Sequence, residues 1–184
     1  MKVDPVEIAR YMRMGRVMPT GALEELVAEL LGKAQSAVRP ARTWRRFSMA
    51  KLRSCFAISG TIADHMAGCH AAYLACGTLG IGFDLFQRRE SVISGASALI
   101  VQAIGAAMIE RLMDMTSDEI REELEEGEEL ISRYSPGYGD FPLAEQKPLL
   151  SLLDASRKIG VSLTDTMLMV PSKSVSAIIG VTSR

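Results

Sequence analysis

AYLACGTLGIGFDLFQRRESVISGASALIVQAIGAAMIERLMDM, residues 72–115, decides the fold class. Its first part, Ala72 to Leu79, is a short apolar run closed by Gly80 and Gly82, and reads as a buried strand. From about Phe83 to Met115 the pattern predicts one long helix. The apolar stretch from Val92 to Ile109 approaches membrane-spanning length. Ser94, Gly95, Ser97, Gln102 and Gly105 dilute it, so it reads as a buried core helix. Gly95, Ala96, Ala103, Gly105, Ala106 and Ala107 would let other elements approach this helix closely.

Upstream, residues 1–18 are mixed and basic and are expected to form an N-terminal arm, leaving 19–184 as a single domain. Thr20 is placed to cap a helix whose first turn carries Glu24 and Glu25. Leu23, Leu26, Val27, Leu30 and Leu31 give it one apolar face, and Arg39-Pro40 ends it. A strand is expected from Arg42 to Met49, a short strand from Cys55 to Ser59 and a short helix from Ile62 to Cys69.

Downstream, Thr116 and Glu119 have capping-box spacing and predict a helix restarting there and running to about Ile131. Its Glu run, Glu122 to Glu129, reads as a solvated face. A Gly- and Pro-rich loop follows from Arg133 to Pro142, then a helix ending at Gly160. The C-terminus reads as a hairpin of Val161–Val170 and Val175–Val181 about a turn at Pro171–Ser174. Helices and strands mix without βαβ alternation, which argues for α+β with a mostly antiparallel sheet flanked by helices.

A net charge of −1 over 184 residues gives no field that recruits nucleic acid or an anionic membrane. Three cysteines without CxxC spacing argue against a disulfide framework or zinc site and fit a reducing, cytoplasmic setting. The opening residues contain no signal-peptide apolar run. His65 and His70 are five apart, off a common helical face, and no metal site is expected. Adjacent Cys69 and His70 point apart, so no catalytic nucleophile pair is expected either. Gly77 to Gly82 lacks both GxGxxG and a P-loop lysine.

The loop RYSPGYGDFP, residues 133–142, holds the densest binding chemistry. Arg133 can grip a carboxylate through two parallel hydrogen bonds. Glycine lets the backbone meet a flat ligand, proline stiffens the loop, and a Tyr ring can cover a purine or approach a cation. The same composition also suits a plain connecting loop. Glu110, inside the apolar helix, can face a ligand cation, pair with Arg111, or face solvent. The binding reading requires that the loop be rigid and that the guanidinium not be spent on a neighbouring side chain.

RYSPGYGDFPLAEQK and LLDASRKIGVSLTDTMLMVPSKSVSAIIG together resemble the activation domain of cobalamin (vitamin B12)-dependent methionine synthase. The matching positions are Arg133, Pro136, Gly137 and Tyr138, then Gly160, Leu163, Thr164 and Thr166, then Pro171, Ser174, Val175 and Ser176. The similarity spans roughly residues 55–181. The resemblance implies a twisted antiparallel sheet and a shallow groove for S-adenosylmethionine. It further implies docking over a corrinoid (cobalamin-binding) methyltransferase protein, with a flavodoxin-type electron donor, so that cobalamin held by the partner is methylated reductively in methionine biosynthesis. Carried over, Arg133 would take the ligand carboxylate and the backbone of Ser135, Pro136, Gly137 and Tyr138 the adenine and ribose. Glu110 would lie near the ligand. No side chain need act as acid or base, because cobalt is the nucleophile.

The chain departs from the long form at Phe141 and Ala144, where that form has a Cys and a His. An acidic position near the long form's start and a late Tyr-bearing segment have no clear counterpart. The homocysteine, folate and cobalamin domains are also missing, so the chain is expected to be an accessory subunit and not a complete enzyme. The alternatives are a docking module that has lost the ligand, and a small S-adenosylmethionine-dependent methyltransferase.

Overall fold

The computed structural model describes residues 1–15 and 17–183. Four strands make one antiparallel sheet in the order β1 (Ala41–Ser48), β2 (Ala71–Thr78), β6 (Ser174–Ser183), β3 (Glu128–Tyr134). A separate two-stranded ribbon pairs β4 (Ser162–Leu163) with β5 (Met169–Val170). Strand β2 is buried at every position because both its faces are covered. Ala72, Leu74 and Cys76 pack with Leu52, Phe56 and Phe141, whereas Ala71, Tyr73 and Ala75 pack with Met113 and Ile120.

The first face carries α3 (Met49–Cys55), α4 (Thr61–His65), α7 (Gln146–Leu153) and α8 (Ala155–Ile159). The second carries α6 (Gly95–Glu122), 28 residues long. Against α6 lie α1 (Pro5–Tyr11), α2 (Ala22–Ala37) and α5 (Ile81–Ile93), through Ile8, Leu30, Phe83, Ile104 and Met108. By length and composition α6 could cross a membrane, but its apolar window is mostly buried inside this fold. Gly105 lets Phe83 approach α6: a Cβ there would stand 2.5 Å from Phe83 Cζ and 2.8 Å from Lys173 Cε.

Several expectations need correction. The stretch around Cys55 is not a strand. Cys55 ends α3, a helix capped by Ser48 and anchored by buried Met49 and Leu52. The single long helix is two, because Ser94 is extended (φ −158°, ψ 150°) and caps α6 by accepting from Ser97 N at 3.0 Å. Gly21, not Thr20, is the N-cap of α2.

No helix restarts at Thr116. It is buried inside α6 and its hydroxyl donates to the Leu112 carbonyl at 2.8 Å. Burial of Leu112, Met113, Thr116, Ser117 and Ile120 carries the helix through the capping-box spacing. The glutamate run is not one solvated helix face: α6 ends at Glu122, the chain turns at Gly127 (φ +83°), and Glu128 and Glu129 open β3, with the Glu128 side chain only 7% exposed and paired with Arg46. The helix expected to end at Gly160 is interrupted at Asp154, in the left-handed region, though Gly160 is its final cap. The C-terminal hairpin is replaced by the small β4–β5 ribbon and a long central β6. In the stretch expected as an arm, Val3, Ile8 and Ala9 are buried.

Candidate functional site

Strand β3 is an edge strand, and it carries one extra residue relative to β6. Leu130 pairs with Val181, but Arg133 pairs with Ile179. This bulge re-aims the side chains that follow it. Leu130 packs on the α6 side and Ile131 on the opposite side. Strict alternation would then put Arg133 on the side away from α6. The extra residue turns Arg133 toward α6 and leaves Tyr134 on the α4 side.

There the guanidinium meets two carboxylates one helical turn apart. Arg133 Nη2 donates to Glu110 Oε2 at 2.8 Å and Nη1 donates to Asp114 Oδ1 at 2.8 Å. The Arg133 side chain is 22% exposed, Glu110 42% and Asp114 55%. Arg133 and Glu110, the two site residues read from sequence on different elements, are therefore in direct contact. The partner of Glu110 is Arg133, not Arg111. Asp114 was missed. It stands four residues beyond Glu110, so helical spacing alone was the signal that it shares that face.

Two cavities flank this triad. One of about 570 Å³ is bordered by Arg111, Asp114, Ser117, Arg121, Ile131 and Arg133. The other, of about 750 Å³, is bordered by Asp4, Glu7, Ala107, Glu110, Arg111 and Asp114. The N-terminal segment thus contributes one wall beside Glu110. Burial, and then the nearby Glu110 carboxylate, push the Tyr11 phenol above its ordinary value.

Beyond Arg133 the chain makes a compact turn. Gly137 N donates to Phe141 O at 2.8 Å, Tyr138 N to Ser135 O at 3.2 Å, and Phe141 N to Tyr138 O at 3.0 Å. Gly137 has φ +91°, which favours glycine there. Pro136 and Phe141 are buried, Ser135 is half-buried, and Tyr138 is 68% exposed. The turn therefore presents a free Tyr ring, while the Gly137 and Tyr138 donors close the turn itself.

His65 and His70 serve separate contacts. His65 Nε2 lies 2.8 Å from Ser132 O, and His70 Nε2 lies 2.8 Å from Glu128 Oε1. Among the described residues no cluster of three or more His, Cys, Asp or Glu could hold a metal. Burial pushes the Cys76 thiol up to about 12 and raises that of Cys69.

A family model for the vitamin B12 dependent methionine synthase activation domain matches residues 53–183. The fold is similar to a solved structure described as the crystal structure of the MetH reactivation domain bound to AdoHcy. The TM-score is 0.65 at 15% identity, covering 97% of this chain and 73% of that one. At that identity the likeness shows the fold. No curated protein sequence matches the chain.

Proposed function

The chain belongs to the vitamin B12-dependent methionine synthase activation-domain family, and from that premise we propose that it binds S-adenosylmethionine beside Arg133. In this reading it is an accessory subunit for reductive methylation of cobalamin held by a partner corrinoid methyltransferase protein, with a flavodoxin-type donor supplying the electron. The relative bound to AdoHcy supports a ligand of this class.

The observation that carries the proposal is the ion triad of Arg133, Glu110 and Asp114. S-adenosylmethionine offers a carboxylate, an ammonium and a sulfonium, and the triad offers the complementary charges. The condition of an unspent guanidinium is not met, because Glu110 and Asp114 hold Arg133, so binding can only be an exchange. The ligand carboxylate takes Arg133, and the released Glu110 takes the ammonium. The ligand carboxylate displaces both Glu110 and Asp114, and partly exposed ion pairs are worth about 0.2–1 kcal/mol each, so breaking the two costs about 0.4–2 kcal/mol. The backbone of Ser135, Pro136, Gly137 and Tyr138 would lie along the nucleoside, with the Tyr138 ring free to cover it. When bound by the partner, the corrinoid supplies the nucleophile for the methyl group. The residues of this chain only bind and orient the donor.

Calorimetric titration of the chain with S-adenosylmethionine tests this. Saturable heat is expected, and Arg133→Ala should weaken binding by about 1.5–3 kcal/mol, the range for hydrogen bonds to a charged group. No heat at millimolar ligand, with or without a corrinoid protein, would remove the ligand role. The occupied guanidinium and the internally bonded turn favour one second reading, a docking module that no longer takes the ligand. Capture of a corrinoid protein without ligand binding would select it.

A further inference from the structure

The short helix α4 has no side-chain cap of its own, since its N-cap is Gly60. Asp140, from the turn after Arg133, supplies one. Its carboxylate accepts from Thr61 N at 3.0 Å and 3.3 Å and from the Thr61 hydroxyl. The Thr61 oxygen also lies 2.7 Å from Tyr134 Oη and accepts from Asp140 N at 3.4 Å. Tyr134 Oη donates to the Tyr138 carbonyl at 3.4 Å. One turn further along α4, the His65 ring lies 4.9 Å from that of Tyr134, tilted 43° to it, and bonds the Ser132 carbonyl.

Ser132 and Tyr134 are the residues on either side of Arg133. Helix α4 therefore holds both neighbours of Arg133 from one side of the sheet while the guanidinium projects to the other. The fit leaves no slack. A Cβ on Gly60 (φ +58°) would occupy the space of the Asp140 carboxylate. One on Gly139 (φ +54°) would lie 2.6 Å from Tyr134 Oη. These contacts also hold the Asp140 carboxyl below its ordinary value, chiefly through the Thr61 hydroxyl.

We infer that Thr61, Asp140 and Tyr134 form a latch that holds the 133–140 segment in its binding shape, with Thr61 and Asp140 as positioning residues that do not touch the ligand. The inference rests on the S-adenosylmethionine reading above. A preset turn loses less conformational freedom when the ligand binds, so opening the latch weakens binding without emptying the core.

The test compares the parent chain with Thr61→Ala, Thr61→Ser and Asp140→Asn, using S-adenosylmethionine calorimetry, thermal melting and amide hydrogen exchange at Gly137, Tyr138 and Phe141. Thr61→Ala should lose about ten-fold in affinity, the scale of one charge-assisted hydrogen bond. Its turn amides should exchange faster while the rest of the sheet keeps the parent's protection. Thr61→Ser should restore both readouts, and Asp140→Asn should fall between. Unchanged affinity in Thr61→Ala, or a Thr61→Ser variant no better than Thr61→Ala, overturns the latch. If the parent itself takes no S-adenosylmethionine, the ligand reading fails, and the exchange rates alone decide the latch: equal turn protection in parent and Thr61→Ala refutes it.

Discussion

Asp114→Asn separates a competitor of the ligand from a contact to it. Asp114 holds one arm of the Arg133 fork at 2.8 Å, and Glu110 holds the other. A ligand carboxylate binding both arms must displace Asp114. The Asp114 side chain is 55% exposed and Arg133 22%, so their pair falls in the class worth about 0.2–1 kcal/mol. Asparagine keeps the shape and removes the charge. If Asp114 competes, S-adenosylmethionine should bind about 1.4- to 5-fold more tightly to Asp114→Asn, by that same energy.

The protein should lose no more than about 4 °C in melting temperature, since 1 kcal/mol moves a chain of this size by roughly 2–4 °C. Raising salt should narrow the gap between parent and variant, because exposed pairs are screened over about 8 Å at physiological ionic strength. Parallel calorimetry on the two proteins reads all of this. Weaker binding to Asp114→Asn would refute the exchange argument and make Asp114 a direct contact to the ligand's cationic groups.

Acid should act through Glu128, which Arg46 holds at about 2, well below its ordinary 4.5. A depressed carboxyl stabilises above its unfolded value and loses that contribution as pH falls from about 4.5 to about 2. Glu128→Gln should therefore cost about 1.5–3 kcal/mol at neutral pH and flatten the urea-midpoint profile across that window; an unchanged profile would exclude Glu128 as the cause. Gly105→Ala should destabilise by about 1–3 kcal/mol, because its methyl enters the space of Phe83 and Lys173, and equal urea midpoints would show that the helix pair gives way freely.

The sheet's central elements were legible because burial on both faces leaves a plain mark. Ala72–Leu79 reads as a strand, and the structure has β2 at Ala71–Thr78. The helix from Leu23 to Leu31 likewise follows its apolar face. What failed were local signals overruled by packing. Thr116 and Glu119 have a capping pattern, but residues 112–120 bury one face against the sheet, so the helix runs on. Ser94 went unread as a stop because the apolar pattern resumes directly after it. The chemistry at Arg133 and Glu110 could be found from residue type and resemblance, but their mutual contact could not. It depends on a register shift that no single residue announces.

That shift explains why the site stands at the sheet's edge. Strand β3 has only β6 beside it, so an extra residue disturbs one ladder and not two. Gly180 on β6 lies opposite the bulge. A Cβ there would come 2.5 Å from Cys69 Sγ and 2.8 Å from Ile131 Cδ1, so glycine makes room for both Cys69 and the bulged strand. The bulge aims Arg133 at α6, and α4 grips the residues on either side of it from the opposite face. Each device is incomplete alone: the bulge sets direction but loosens the strand, and the grip restores rigidity but cannot choose the face. The placement of the Arg133–Glu110–Asp114 triad thus follows from backbone register first and from side-chain identity second.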